Sequence, residues 1–385
     1  MKVTVVGLGF VGKPLLEACV DAGYEVRGVD IDDHKLDEIV NSNLAAMVRV
    51  SNNLRDFTDS DVFVLALPTP IDPDRRSDLS QIRSICTLLA TMLTETKLVV
   101  IESTYPPGTT RNIIIPLLKS DHKTNRVLVC YSPERLNPGD SDWNLSNTPK
   151  LYACEDPEAK KIAEEFYGKF IEQLIYVDNF EVAETAKLLE NMYRYVNINF
   201  INEFQKNCES LGIDTLKVIE AASSKPFGFQ KFLPSLGVGG HCIPIAPYHF
   251  LDTLKPVNTT NGFLEQGNLV NQSQASSVIS KVEKHFSLKD KNVLVVGITY
   301  KAGVPDVRES PVLGIIENLK LRGSKVKWFD FWVQECNGEK SVNLDDIYDF
   351  VLICVKQPDF IITEVVRKND VVIDISNGLN FRRLK

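Results

Sequence analysis

The chain carries a thiol directly behind a run of glycines: Ser235-Leu-Gly-Val-Gly-Gly-His-Cys-Ile-Pro-Ile-Ala-Pro247, with Cys242 following Gly237, Gly239 and Gly240. Glycine admits positive φ and lets backbone approach a neighbour closely, and a thiolate is the strongest side-chain nucleophile near neutral pH. Taken alone, a cysteine in a turn is a small buried apolar residue; the other motifs change that reading. Lys187 and Asn191 stand four residues apart and share a helix face. An ammonium and an amide aimed into a cleft would stabilise a developing oxyanion. By spacing alone they read as an exposed lysine beside a core stripe of Ala186, Leu188, Leu189 and Met192. Glu134, in Ser132-Pro-Glu-Arg-Leu-Asn-Pro-Gly139, could exchange protons or hold a water. A solvent-facing Glu134–Arg135 pair is the plain alternative.

Gly7-Leu-Gly-Phe-Val-Gly12 has dinucleotide-binding spacing, and its context strengthens it. A strand-like run, Val3-Thr-Val-Val6, precedes it, a helical stretch follows, and Asp30 closes the next strand 18 residues after Gly12. A pyrophosphate would rest on the helix N-terminus and Asp30 would take the adenosine ribose hydroxyls. That carboxylate would repel a 2′-phosphate, so NAD is favoured over NADP. Asp32 and Asp33 read as solvated neighbours. Lys301 and Arg308, in Ile298-Thr-Tyr-Lys-Ala-Gly-Val-Pro-Asp-Val-Arg-Glu-Ser-Pro311, could meet phosphates or ribose, although alone this is a loop with surface charges.

The elements that must hold these groups follow from periodicity. Strand candidates at 3–6, 25–29, 62–66, 98–101 and 127–130 alternate with helical stretches such as Pro14–Ala22 and Leu79–Leu93, which predicts a doubly wound parallel sheet. Residues 181–212 form one long helix with Gly212 at the C-cap. A second α/β unit starts near 290, with strands at 292–297, 325–329, 351–355 and 371–374 and a helix at Pro311–Arg322; the helical stretch 263–286 reads as the linker. At 385 residues, two or three domains are expected. The net charge of −8 argues against a general nucleic-acid binder, and no apolar run reaches the length of a membrane span. The eight cysteines lack zinc or disulfide spacing, so no metal is expected and a reducing cytoplasm fits best; Cys19, Cys130 and Cys354 read as core.

The motifs together resemble the UDP-glucose/GDP-mannose dehydrogenase family. They are Gly7–Gly12 with Asp30, Pro68-Thr-Pro70, Glu102-Ser-Thr-Tyr-Pro-Pro-Gly-Thr-Thr110, Ser132-Pro-Glu-Arg135, Lys187 with Asn191, Gly239-Gly-His-Cys-Ile-Pro244, and Tyr300-Lys with Asp306-Val-Arg-Glu-Ser310. The Gly-Gly-His-Cys-Ile-Pro loop resembles the branch acting on UDP-N-acetylhexosamines. The resemblance implies two Rossmann-like domains joined by a central long-helix segment: 1–178 for NAD, 179–275 central and dimer-forming, 276–385 for the UDP-sugar. It implies a four-electron oxidation of the sugar C6 hydroxyl to a uronic acid through a Cys242 thiohemiacetal and thioester. Lys187 and Asn191 would stabilise the oxygen, and Glu134 would assist proton transfer or position water.

By the same resemblance NAD would lie against Gly7, Gly9, Phe10, Val11, Gly12, Asp30, Ile31, Pro68, Thr69, Thr104 and Arg308. The UDP-sugar would meet Glu134, Arg135, Leu136, Asn137, Lys187, Asn191, Gly239 and Lys301. A homodimer or larger homo-oligomer is implied. The chain departs from the family at Ala246, where the family loop has an aspartate, and at Pro234-Ser-Leu-Gly237; the segment Asn41–Val50 is short. Loss of the aspartate opens two alternatives: an enzyme that stops at one oxidation or at the thioester, or a non-catalytic nucleotide-sugar binder.

Overall fold

A computed structural model describes the chain except residues 121–126, 138, 140–141, 256–261, 345, 359–368, 370, 377–381 and 384–385. It divides into two compact units, Met1–Glu190 with Tyr248–Thr259, and Asn191–Pro247 with Thr260–Lys385.

The first unit is built on eight strands: β1 (Lys2–Val6), β2 (Glu25–Val29), β3 (Val48–Ser51), β4 (Val62–Leu65), β5 (Lys97–Ile101), β6 (Val127–Tyr131), β7 (Lys150–Ala153) and β8 (Leu174–Val177). Their order is β3-β2-β1-β4-β5-β6-β7-β8. Every pairing is parallel except β6 with β7. The reversal at β1/β4 is the switch point where doubly wound sheets open a ligand crevice. β4, β5 and β6 are buried along their whole length, because helices cover both faces of a parallel sheet and leave no polar side. Two apolar clusters fill those faces, one around Leu15, Leu16 and Phe166, the other around Phe63, Leu89 and Tyr131.

Two of the first unit's helices are capped by an aspartate side chain. The helices are α1 (Gly12–Asp21), α2 (Asp33–Val40), α3 (Ser80–Met92), α4 (Ile115–Leu118), which continues a π-helical turn at Thr110–Ile114, and α5 (Pro157–Tyr167). Asp32 is not a bystander: it caps α2 by accepting from the His34 N–H. Asp156 does the same for α5, with Pro157 in the first turn. α6 (Phe180–Ser210) is the long helix expected from the sequence. It closes at Gly212, whose φ of 70° is the left-handed conformation that a C-cap needs, with the Ile213 N–H returning to the Cys208 carbonyl at 2.9 Å.

In the second unit α7 (Thr215–Ser223) is capped by Asp214. α8 (Ala246–Leu254) begins four residues after Cys242, and its residues from Tyr248 on belong to the first unit. α9 (Gly262–Glu283) covers the stretch read as a linker; it is an integral element that packs on α10 (Pro311–Leu321). The sheet runs β10 (Lys325–Phe329), β9 (Asn292–Val296), β13 (Phe350–Ile353), β14 (Val372–Asp374), β15 (Arg382–Arg383); β11 (Glu335–Cys336) and β12 (Glu339–Lys340) form a small hairpin.

The two units repeat one local design. Gly7 and Gly297 follow the first strand of each, with φ of 91° and 79°. A Cβ would lie 2.5 Å from the Ala66 carbonyl oxygen at Gly7 and 2.1 Å from the Val355 carbonyl oxygen at Gly297. The next N–H donates to a buried aspartate closing the following strand: Leu8 to Asp30 at 2.7 Å, Ile298 to Asp330 at 2.8 Å. The difference is the connection. In the first unit α1 starts at Gly12, whereas in the second α10 starts at Pro311, after a longer loop.

A buried ion pair lies under the centre of the large sheet's ligand edge. The Lys150 ammonium donates to Glu102 at 2.7 Å, and the Tyr167 hydroxyl donates to the other carboxylate oxygen at 2.5 Å. Burial works against the Lys150 charge, but Glu102 and Glu134 outweigh it and raise its pKa. Lys150→Met strands the Glu102 carboxylate, and we expect it to cost about 3–5 kcal/mol. The readout is the urea midpoint of the full chain; an unchanged midpoint contradicts this account.

Candidate functional site

Each unit contributes its own set of groups. In the first, the Gly7–Gly12 turn is shaped to leave backbone exposed. A Cβ on Gly12 would sit 1.7 Å from the Gly7 carbonyl oxygen, so that position fixes the turn, whereas at Gly9 a Cβ would meet nothing within 4 Å. Open backbone at the start of α1 is what a pyrophosphate requires. The Asp30 carboxylate accepts from the Leu8 N–H and, at 3.0 Å, from the Asp32 N–H, and Lys35 lies 3.4 Å away. Ile31 beside it is 85% exposed, an apolar surface open to a flat ring. Phe10 is also exposed, and Val11 leads directly into α1. These residues fit NAD.

The next strand ends are tied together by hydroxyls. The Thr69 hydroxyl donates to the Thr104 carbonyl at 2.5 Å, and the Ser103 hydroxyl accepts the Leu67 N–H at 2.9 Å while donating to the Leu67 carbonyl at 2.8 Å. Pro68 between them is exposed. The Ser77 hydroxyl lies 2.7 Å from Nδ1 of His249 on α8.

Glu134 is buried after β6. One carboxylate oxygen accepts the Arg135 and Leu136 N–H groups at 2.6 and 2.5 Å. The other, Oε2, is buried and has no hydrogen-bond partner among the described residues. An acceptor so placed is costly unless a ligand or water completes it. The Arg135 guanidinium is bound by Glu190 on α6 and by the Pro149 carbonyl at 2.7 Å, so it fastens this loop to the lysine helix. Leu136 and Asn137 follow, half-buried. Lys187 is half-buried on the same helix. One turn further, in the second unit, Asn191 is buried and its Nδ2 has no partner among the described residues.

The cysteine loop of the second unit is held by three side-chain amides. Asn202 of α6 accepts the Ser235 N–H at 2.7 Å, Gln274 of α9 donates to the Ser235 carbonyl at 2.9 Å, and Asn271 accepts the Val238 N–H at 2.7 Å while donating to its carbonyl at 3.2 Å. The glycines serve the loop's own packing. A Cβ on Gly239 would lie 2.7 Å from the Glu309 carbonyl oxygen, and one on Gly240 would lie 2.9 Å from the Tyr300 ring. His241 has its pKa lowered by burial and by the Arg308 guanidinium, with Asp306 opposing, so it is neutral at pH 7. Arg308 is clamped by Asp306, its Nη2 at 2.7 Å, and its carbonyl accepts the Gly240 N–H at 3.1 Å. Lys301, half-buried, lies in the same loop.

Of the eight cysteines, six are buried, Cys336 is half-buried and Cys242 alone is exposed. That removes the reading of Cys242 as a core residue. Ala246, by contrast, is buried at the start of α8, its N–H donating to the Cys242 carbonyl at 3.2 Å. Sequence reasoning missed Ser103, Lys150, Asn271 and Gln274. Each acts through a partner distant in the chain; only Ser103 sits in a motif read for function.

Comparison with known proteins decides the family. The chain matches the UDP-glucose/GDP-mannose dehydrogenase NAD binding domain over residues 1–171, the central domain over 181–273 and the UDP binding domain over 294–380. It is 30% identical to a UDP-N-acetyl-D-mannosamine dehydrogenase of Methanocaldococcus jannaschii, over 98% of this chain and 93% of that protein. This chain belongs to the UDP-glucose/GDP-mannose dehydrogenase family. A UDP-N-acetyl-D-glucosamine 6-dehydrogenase of Pseudomonas aeruginosa is also 30% identical, over 94% of this chain and 91% of that one. Among solved structures, a UDP-D-ManNAc dehydrogenase of Pyrococcus horikoshii aligns with TM-score 0.84 at 26% identity, covering 97% of this chain and 95% of that one. The chain is thus an NAD-dependent nucleotide-sugar dehydrogenase with a UDP binding domain. Among the described residues no helix is long and apolar enough to cross a membrane.

Asp30→Ala tests whether this carboxylate accepts the ribose hydroxyls of NAD. We expect NAD affinity, measured by calorimetric titration, to fall about tenfold or more, in line with the loss of a charge-assisted hydrogen-bond pair. Unchanged affinity would mean that the ribose lies elsewhere.

Proposed function

We propose that this enzyme oxidises the C6 hydroxyl of a UDP-N-acetylhexosamine to the carboxylate, with Cys242 as the covalent nucleophile. The observation that carries the chemistry is the exposure of Cys242 on a loop fixed by Asn202, Asn271 and Gln274 beside Arg308. The sugar class is supported by relatives named for UDP-N-acetyl-D-mannosamine and UDP-N-acetyl-D-glucosamine.

NAD, held by Gly7, Gly9, Gly12 and Asp30, supplies a hydride acceptor for each of two oxidations. The first converts the C6 alcohol to an aldehyde, and the alcohol proton leaves to a base. The Cys242 sulfur then bonds to C6, giving a thiohemiacetal. Loss of a second hydride from C6, with the hydroxyl proton passing to solvent, leaves a thioester. Water attacks the thioester carbon, the C–S bond breaks, and the carboxylate and free thiol result. Four electrons leave the sugar in all. Lys187 and Asn191 stabilise the C6 oxygen as its charge develops; the unpartnered Nδ2 of Asn191 is a donor suited to that role. Glu134 orients the hydrolytic water through Oε2, the carboxylate oxygen that its own loop leaves unsatisfied. Lys301 and Arg308 serve the nucleotide portions of the ligands.

Ala246 favours a second reading. Where the family has a carboxylate, this chain has a buried methyl group. An enzyme lacking that helper would release the aldehyde or stall at the thioester.

We also propose a homodimer through α6, in the cytoplasm. Val182, Leu189, Tyr193, Phe200 and Leu211 are all exposed. Spaced by sevens and fours until the last, they form one apolar stripe. Leu189 and Phe200 are 62% and 61% exposed, which a second copy of the helix would cover.

Two outcomes are expected. Cys242→Ser abolishes uronate formation while leaving NAD affinity within about twofold, since the thiol lies outside the dinucleotide turn; retained uronate formation would remove Cys242 from the reaction. Leu189→Glu with Phe200→Glu converts the dimer to monomer in size-exclusion chromatography with light scattering; a monomeric parent chain, or a variant that stays dimeric, contradicts the interface.

A further inference from the structure

We infer that Glu184 is a positioning residue that locks the lysine helix to the loop carrying Thr104, an inference that rests on the function proposed above. Glu184 is fully buried on α6, three residues before Lys187. Its two carboxylate oxygens take two separate backbone donors: Gly108 N–H at 2.5 Å and Thr110 N–H at 2.8 Å. These N–H groups stand where the π-helical turn begins, so no helical carbonyl precedes them to accept. Gly108 has φ of 85°, a left-handed conformation that favours glycine.

The far end of the same loop is tied to the cofactor side. The Thr69 hydroxyl holds the Thr104 carbonyl, and the Ser103 hydroxyl holds both the N–H and the carbonyl of Leu67. The segment 103–110 is therefore hydrogen-bonded at one end to residues 67–69 and at the other to Glu184. From there a rigid helix carries Lys187 about one turn further, at ~1.5 Å per residue. Around the clamp, Arg111 binds Glu155 and Glu181 at the surface, and Tyr105 and Tyr131 close it from the core side.

The choice of residue indicates more than packing. Burial pushes the Glu184 carboxyl up to about 7, against the pull of the Thr110 and Gly108 donors. A carboxylate at that depth is a costly way to cap a turn. When ionised it makes two charge-assisted bonds of fixed direction, which set where Lys187 stands relative to the loop carrying Thr104. Misplacement by about 1 Å between a catalytic group and a reacting bond costs on the order of 10²-fold in rate.

Glu184→Gln keeps the shape but turns an NH2 group toward one of the two N–H donors. The test compares kcat, KM and NAD affinity of the full-length variant with the parent, with circular dichroism to confirm folding. We expect kcat to fall about 10–100-fold, KM for the UDP-sugar and NAD affinity to stay within about twofold, and Glu184→Asp, which restores the charge, to recover part of kcat. If Glu184→Gln does not fold, Glu184→Asp decides: a lowered kcat at constant KM supports the clamp, and a parental kcat overturns it. Parental kcat in folded Glu184→Gln, with loss confined to melting temperature, makes the residue merely structural and overturns the inference. A parent chain that yields no NADH from any UDP-sugar overturns the proposed function itself and this inference with it.

Discussion

At the carboxyl ends of the parallel strands, loops begin with backbone N–H groups that no strand can satisfy, and buried carboxylates accept them. Asp30 takes Leu8 and Asp32, Glu134 takes Arg135 and Leu136, and Glu184 takes Gly108 and Thr110. A carboxylate moved out of water is expensive unless it is hydrogen-bonded, so each loop is held at one distance from its acceptor. Ligands of a doubly wound sheet bind at this same edge. The groups that make the loops rigid are therefore the groups that define the ligand crevice. Oε2 of Glu134, which its own loop leaves unsatisfied, and Nδ2 of Asn191 on α6 are among the buried polar atoms open to a ligand or water.

The second unit shows the same device turned to another use. Asp330 accepts from Ile298, and also from Trp332 and Val333 at 2.9 and 3.2 Å, so its carboxylate is consumed by the protein. The glycine-rich turn of the first unit is replaced by the longer loop ending at Pro311, which packs against Gly239 and Gly240 through Tyr300 and Glu309. One fold thus serves twice. With a short turn it offers open backbone to a dinucleotide, and with a long one it supports a cysteine loop. Arg308, clamped by Asp306, holds that loop through its carbonyl, which accepts the Gly240 N–H at 3.1 Å.

Local chemistry was legible in the sequence. The β1–turn–α1–β2 unit with Asp30 could be read because its glycines, strand and acid lie within one short stretch. The long helix through Gly212 could be read because it lacks breakers. β7 was missed because it opens with Lys150, a charge that is buried only by virtue of Glu102, 48 residues earlier. β3 and β8 are short outer strands with mixed burial and weak alternation. Helix α9 reads as a linker in sequence because the loop-holding part of it is made of Asn271 and Gln274, amides that bond to Val238 and Ser235 and have no apolar signature, while Val278, Ile279 and Val282 enter the core only at its end. At the site, residue types in motifs gave Cys242 and Glu134, but only the fold gave the exposure of the thiol and the free oxygen of Glu134.

The central claim is a four-electron oxidation through Cys242 despite the methyl group at Ala246. Its most direct test is the yield of NADH per sugar consumed across a panel of UDP-hexoses and UDP-N-acetylhexosamines, with the product weighed by mass spectrometry. The account predicts two NADH per sugar on an N-acetylhexosamine and a product carrying a new C6 carboxylate. One NADH per sugar with an aldehyde product, or a sugar left bound to Cys242, would contradict it and assign the loss to Ala246.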